Sequence, residues 1–128
     1  MEVAYHVRML LSINPQHVEN ILNGTKRFEF RKVKSRREVR YIVIYSTAPV
    51  GHVIGEVEVL GTLDGHPAEV WEHTHKYSGI TKQFYDDYFS GRERAVAYEL
   101  GEVSVYERPK SLVELGVASA PQSFVYVS

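Results

Sequence analysis

Val7, Met9 and Leu11 alternate with Arg8, Leu10 and Ser12, so His6 to Ser12 reads as a first strand. Asn14 and Pro15 then carry the signature of a helix start, a side-chain cap followed by a residue whose fixed φ suits the first turn. Ile13 and Val18 fall at the two ends of a hydrophobic staple. Val18, Ile21 and Leu22 give this helix its apolar face, and Gly24 supplies the left-handed residue that stops it. Alternation resumes over residues 26–33, where Phe28 and Phe30 point into a core and Arg27, Glu29 and Arg31 share the opposite face. Three charges there cost free energy unless they are solvated or paired. In a regular strand Lys26 would lie with Phe28. It joins Glu29 and Arg31 only if it still sits in the turn after Gly24.

Lys34 to Glu38 reads as a polar loop, and Tyr41 to Tyr45 as a strand buried on both faces. Ala48 to Gly51 is a turn. His52 to Leu63 forms a long strand in which Gly55 and Gly61 mark bulges. Pro67 starts a helix carrying Val70 and Trp71 that ends near Tyr77-Ser78-Gly79. Thr81 caps another helix, closed by Gly91, and the helical spacing of Phe84, Tyr85, Tyr88 and Phe89 assigns all four to the core. Arg94 to Tyr106 is strand-rich and interrupted at Gly101. Ser111 to Leu115 is a helical turn or a short strand, and Phe124 to Val127 is a last strand. Many short strands with a few helices indicate an α+β domain or a small open barrel, mainly antiparallel, with Phe28, Phe30, Val43 and Val57 buried.

At 128 residues the chain is expected to be one domain spanning residues 1–128. It contains no apolar run near the ~20 residues that cross a bilayer and no basic segment followed by an apolar one at its start. The expected location is therefore the cytoplasm. The absence of cysteine excludes disulfides, thiolate catalysis and cysteine-held metals. Charge is unevenly distributed. Residues 1–40 hold nine Lys or Arg against four Asp or Glu, and residues 41–128 hold six against twelve. Lys26, Arg27, Arg31, Lys32, Lys34, Arg36, Arg37 and Arg40 form the dense part of the basic segment. Such a patch attracts phosphate backbones even in a nearly neutral protein; its plainer reading is a solvated face.

The run Leu11-Ser12-Ile13-Asn14-Pro15, then Ile21-Leu22-Asn23-Gly24-Thr25-Lys26, then Phe28-Glu29-Phe30-Arg31 resembles the ASCH domain, a relative of the PUA RNA-binding fold. The family spacing of glycine, any residue, lysine, four residues and arginine is met by Gly24, Lys26 and Arg31. Ile44-Tyr45-Ser46, Val53-Ile54-Gly55, Ala97-Tyr98 and Pro121-Gln122-Ser123-Phe124 also fit archaeal and bacterial proteins of this type. The resemblance implies a PUA-like β-barrel. Some ASCH proteins hydrolyse acetylated cytidine with the motif lysine, a downstream glutamate and a threonine at the position of Glu29. That threonine is absent here, which counts against amidohydrolase activity and leaves ligand binding untouched.

The residue types sort the candidates. Lys26 and Arg31 can hold phosphate, the arginine through two hydrogen bonds, and Glu29 can accept from a base amino group or act as a general base. Lys26 and Glu29 are the candidate catalytic groups. Arg27, Lys32, Arg36 and Arg37 extend the basic surface. Ser12 and Asn14 flank the end of the first strand beside the Lys26 turn, Asn14 serving chiefly as a cap. Tyr45 and Ser46, at a strand end, either line a pocket or satisfy loop backbone. Trp71 is either core or a platform for a stacked base. His66, His73 and His75 lack the converging spacing of a metal site; no metal and no cofactor is expected. The leading reading is an RNA- or nucleotide-binding module, in RNA metabolism or in the regulation of transcription or translation. RNA is preferred to duplex DNA because no basic recognition helix is visible. The alternatives are an enzyme acting on RNA or a modified nucleoside, amidohydrolase- or ribonuclease-like, and a regulatory domain that binds a protein partner.

Overall fold

The computed structural model describes residues 6–128. Among them the elements run β1 (Arg8–Ile13), α1 (Pro15–Leu22), β2 (Phe28–Arg31), β3 (Tyr41–Ser46), β4 (His52–Gly65), α2 (Pro67–Thr74), α3 (Lys82–Tyr88), β5 (Ala95–Lys110) and β6 (Phe124–Val127), with short 3-10 turns at His75–Tyr77 and Val113–Leu115. The six strands make one mixed sheet in the order β2-β5-β4-β3-β1-β6. β1 and β3 run parallel; the other pairs are antiparallel. The fold is α+β, as the sequence indicates.

The expected PUA-like barrel is met only in part: the six strands form one sheet that does not close, with β2 and β6 as its two edges. The physical reason lies at both edges. β2 carries only four residues, and β6 pairs with Arg8 to Leu11 but stops short of Ser12. The Ser12 carbonyl is then free of that ladder, and the Arg31 guanidinium takes it at 3.0 Å. A side chain thus spans from β2 to β1 where backbone pairing would close a barrel.

Register shifts fall between Val53 and Gly55 and between Val59 and Gly61, so the two glycines do mark irregularities. At Gly55 the partner strand comes so close that an added Cβ would stand 3.0 Å from Val105 Cα. β5 does not break at Gly101 but runs on to Lys110.

Phe28, Phe30, Val43 and Val57 are all buried. Phe28 and Phe30 pack with Val70 of α2, with Tyr85 of α3 and with Phe89, the residue that ends that helix, and the Phe30 ring meets Tyr85 edge-on at 5.2 Å. This cluster fixes α3 over β2. A second and larger cluster, including Met9, Ile42, Val57 and Tyr98, joins the central strands to α1. The basic loop after β2 is pinned to that core. Ser35 is buried, and its backbone N–H donates to the Tyr98 hydroxyl at 3.1 Å. The Arg37 backbone N–H donates to the Tyr126 hydroxyl at 3.1 Å, with the guanidinium over the Tyr126 ring.

Candidate functional site

Asn14 caps α1, its Oδ1 accepting from the Gln16 N–H at 2.9 Å. The helix ends on Asn23, and Gly24 follows at φ +84°. The Lys26 N–H then donates to the Asn20 carbonyl at 3.0 Å, and the Arg27 N–H to the Tyr77 carbonyl at 2.7 Å. Because β2 begins only at Phe28, Lys26 sits in the turn, as the alternation requires if it is to join Glu29 and Arg31. Its side chain is 2% exposed. It runs beneath Gly79 at φ +70°, where an added Cβ would lie 2.8 Å from Lys26 Cα. The ammonium donates to the Ser78 carbonyl at 3.1 Å and sits 5.0 Å from the centre of the Phe30 ring.

Glu29 is 5% exposed. Its Oε2 accepts from Arg31 Nη2 at 2.6 Å and from Arg31 Nε at 3.1 Å. Its Oε1 faces Lys26 Nζ at 3.7 Å, an ion pair beyond hydrogen-bonding length. Burial alone would raise the Glu29 pKa, but the charges of Arg31 and Lys26 outweigh it and hold the carboxyl below its ordinary value. Burial draws the Lys26 ammonium below the usual lysine range, with Glu29 opposing. A buried pair of this kind is costly to form and far more costly to break on one side.

These three side chains line a cleft of about 250 Å³ together with Ser12, Asn14, His17, Phe30, Ile80, Phe84 and Tyr88. Donors and acceptors remain available within it. The ammonium has three N–H bonds, of which the Ser78 carbonyl takes one. Arg31 Nη1 makes no hydrogen bond among the described residues, and neither does Glu29 Oε1. His17 Nδ1 is buried without a partner. Burial, then the positive charge of Lys26, lowers the His17 pKa, so its ring is neutral at neutral pH.

The structure brings Ser12, Asn14, Lys26, Glu29 and Arg31 to the cleft and the other candidates elsewhere. Arg27 is exposed beyond it. Lys32 lines the adjoining cavity, its ammonium 4.7 Å from the Tyr88 ring centre. Arg36 and Arg37 line a separate cavity of about 600 Å³ with Lys34, Arg40, Glu58 and Leu60, because buried Ser35 and Val39 anchor their loop against the sheet. Tyr45 packs with the cluster around Leu10 and Val53, and Ser46 is buried at the strand end. Trp71 packs against Tyr85, with 4.6 Å between ring centres and 41° between the planes, and lines yet another cavity beside α2, outside this cleft. Phe84 corrects the helical-spacing argument: it is 48% exposed, because the core between β2 and α3 is filled by Tyr85 and Phe89. His66 caps α2, its Nδ1 accepting from the Ala68 N–H at 3.2 Å. Among the described residues no group of three or more His, Asp or Glu is placed to hold a metal, and no helix is long and apolar enough to cross a membrane.

Sequence reasoning missed His17, Ser78, Gly79, Phe84 and Tyr88 as parts of the site. His17 stands four residues before Ile21, beside the apolar face of its helix, which is a detectable signal. The turn at Ser78 and Gly79 meets Lys26 across some fifty residues of chain, and no local pattern announces that contact.

A family model described as the ASCH domain matches residues 11–104. The chain is 30% identical over 123 residues to an ASCH domain-containing ribonuclease of Zymomonas mobilis, covering 92% of this chain and 82% of that protein. It superposes on the crystal structure of ASCH from Zymomonas mobilis with a TM-score of 0.85 at 28% identity, covering 94% of this chain and 87% of the other. It is also 27% identical over 120 residues to the large ribosomal subunit protein uL22 of Ureaplasma parvum, spanning 93% of this chain but only 39% of the length of that protein.

Proposed function

The chain belongs to the ASCH domain family, and we propose that it binds RNA by taking one nucleotide unit into the cleft of Lys26, Glu29 and Arg31. The observation that supports this reading is a fixed, buried charge cluster that keeps spare hydrogen-bonding groups in a cleft with apolar walls. A base amino group can donate to Glu29 Oε1. Lys26 Nζ and Arg31 Nη1 can donate to phosphate or ribose oxygens. Arg31 does so with one nitrogen only, since Nε and Nη2 are committed to Glu29. Phe30 and Ile80 supply apolar wall for the ring of the base. A site of this kind selects a ligand that is polar on one edge and flat on the other.

The basic loop serves the same ligand at a distance. Lys34, Arg36, Arg37 and Arg40 form no ion pair among the described residues, so they are available to backbone phosphates. In fluorescence anisotropy with single-stranded RNA, Lys26→Met should weaken binding by about 5- to 150-fold, the range expected for loss of one specific polar contact. Arg36→Ala with Arg37→Ala should instead flatten the plot of log affinity against log salt, by up to about two steps of roughly 0.7 each. A folded Lys26→Met protein that binds RNA as tightly as the wild type would overturn the assignment of the cleft.

Cleavage of the bound RNA is a second reading, favoured by the likeness to a ribonuclease over most of its length. Glu29 is then a poor general base, because its two cationic neighbours lower its affinity for a proton. Neutral His17, with its unpartnered Nδ1, is better suited to accept a proton. Incubation with end-labelled RNA should then give fragments, with activity holding as pH falls to below the ordinary histidine range and lost in His17→Ala. Intact RNA after prolonged incubation would leave binding alone.

A further inference from the structure

We propose that the cleft is the middle of one continuous groove that takes a single RNA strand several nucleotides long, with Phe84 as the platform on which the base next to the cleft-bound one stacks. This rests on the reading of the cleft as an RNA site.

Three cavities adjoin one another through shared walls. His17, Ile80 and Phe84 line both the cleft and a cavity of about 470 Å³ that continues past Gln16, Asn20 and Lys76. Arg31 and Tyr88 line both the cleft and a cavity of about 400 Å³ that continues past Lys32, Arg92 and Gln122. Lys76 thus stands toward one end, Lys26 and Arg31 in the middle, and Lys32 and Arg92 toward the other. Lys76, Lys32 and Arg92 form no ion pair among the described residues. A row of cations along a groove tracks a phosphate backbone, and single-strand sites commonly cover about four or more nucleotides.

Phe84 is the exposed member of an aromatic helix face whose other members are buried or half-buried. Its ring lies nearly parallel to Tyr88, with 9° between the planes and 6.4 Å between centroids, and meets the His17 ring edge-on at 5.2 Å. Neighbours on two sides fix its orientation while nearly half of its surface stays exposed, and the residue lines both the cleft and the adjoining cavity. The acidic residues of the same helix are occupied elsewhere: Asp86 pairs with Lys82, and Asp87 accepts from Gln83. Of these two charges, the one on Asp86 is offset by the Lys82 ammonium.

The test compares adenosine monophosphate with adenylate RNA oligomers of increasing length, on wild type, Phe84→Ala, Phe84→Trp and Lys26→Met. Circular dichroism and thermal melts establish that each variant is folded. The tetramer should bind wild type at least tenfold more tightly than the monophosphate. Phe84→Ala should lose roughly tenfold more for the tetramer than for the monophosphate, and Phe84→Trp should retain tetramer binding, since stacking depends on ring area. If monophosphate and tetramer bind alike and both are lost in Lys26→Met, the cleft reading stands and the groove is overturned. If neither ligand binds wild type, the cleft reading fails and takes the groove with it. Unchanged tetramer affinity in Phe84→Ala also overturns the platform.

Discussion

Replacing Glu29 with glutamine should lower the unfolding free energy by roughly 3–5 kcal/mol, the usual cost of removing one partner from a buried ion pair. Glutamine keeps the shape of the side chain. What is lost is the negative charge between two cations, one of which is 2% exposed. Lys26 and Arg31 would then repel each other with little water to screen them. Urea melts of the two proteins measure the difference directly. The pH dependence provides an independent check. Glu29 has a folded pKa below its unfolded value of about 4.3, so its contribution is present above that unfolded value and is lost as pH falls through the folded one. The wild type should therefore lose its advantage over Glu29→Gln in acid, and the two stability curves should converge below the ordinary carboxylate range. Equal stability at neutral pH would mean that the cluster is solvated rather than buried.

Gly79→Ala should cost on the order of 2–4 kcal/mol, combining a left-handed backbone that alanine resists with a collision. An alanine Cβ would lie 2.7 Å from Lys26 Cγ and 2.8 Å from Lys26 Cα. Lys26 cannot yield easily, because its own N–H and ammonium are both bonded. Gly91 supplies the control. It has φ +74°, and an added Cβ would meet nothing within 4 Å. Gly91→Ala should cost only the backbone strain, roughly 1–2 kcal/mol. The excess in Gly79→Ala, read from paired thermal or urea melts, isolates the contact with Lys26, and it should be accompanied by weaker RNA binding that Gly91→Ala does not share. If the two variants are equally destabilised, Gly79 does not position Lys26.

The contrast between these positions shows what local sequence can and cannot carry. The cap at Asn14, the stop at Gly24 and the alternation through Phe28 and Phe30 are written in neighbouring residues, and the structure reproduces them. The gathering of Lys26, Glu29 and Arg31 was legible for the same reason, since all three lie within one turn and one strand. The open edge of the sheet was not, because it depends on where β6 stops beside β1. Phe84 misled because helical spacing tells which side chains share a face but not how far the opposing layer extends. Arg36 and Arg37 follow the cleft residues closely in sequence and yet line another cavity, since buried Ser35 and Val39 decide where their loop lies. The parts of the site supplied by Ser78, Gly79 and Tyr88 come from tertiary approach, which no periodicity records.

Photo-crosslinking of a 4-thiouridine-containing RNA tetramer, followed by mass spectrometry of the modified peptides, tests the central claim most directly. A nucleotide held between Lys26, Arg31 and the aromatic wall should place its crosslinks in the segments 12–17, 26–31 and 80–88, and Lys26→Met should reduce their yield. Crosslinks confined to residues 34–40 and 58–62, around the larger basic cavity, with full yield in Lys26→Met, would contradict it.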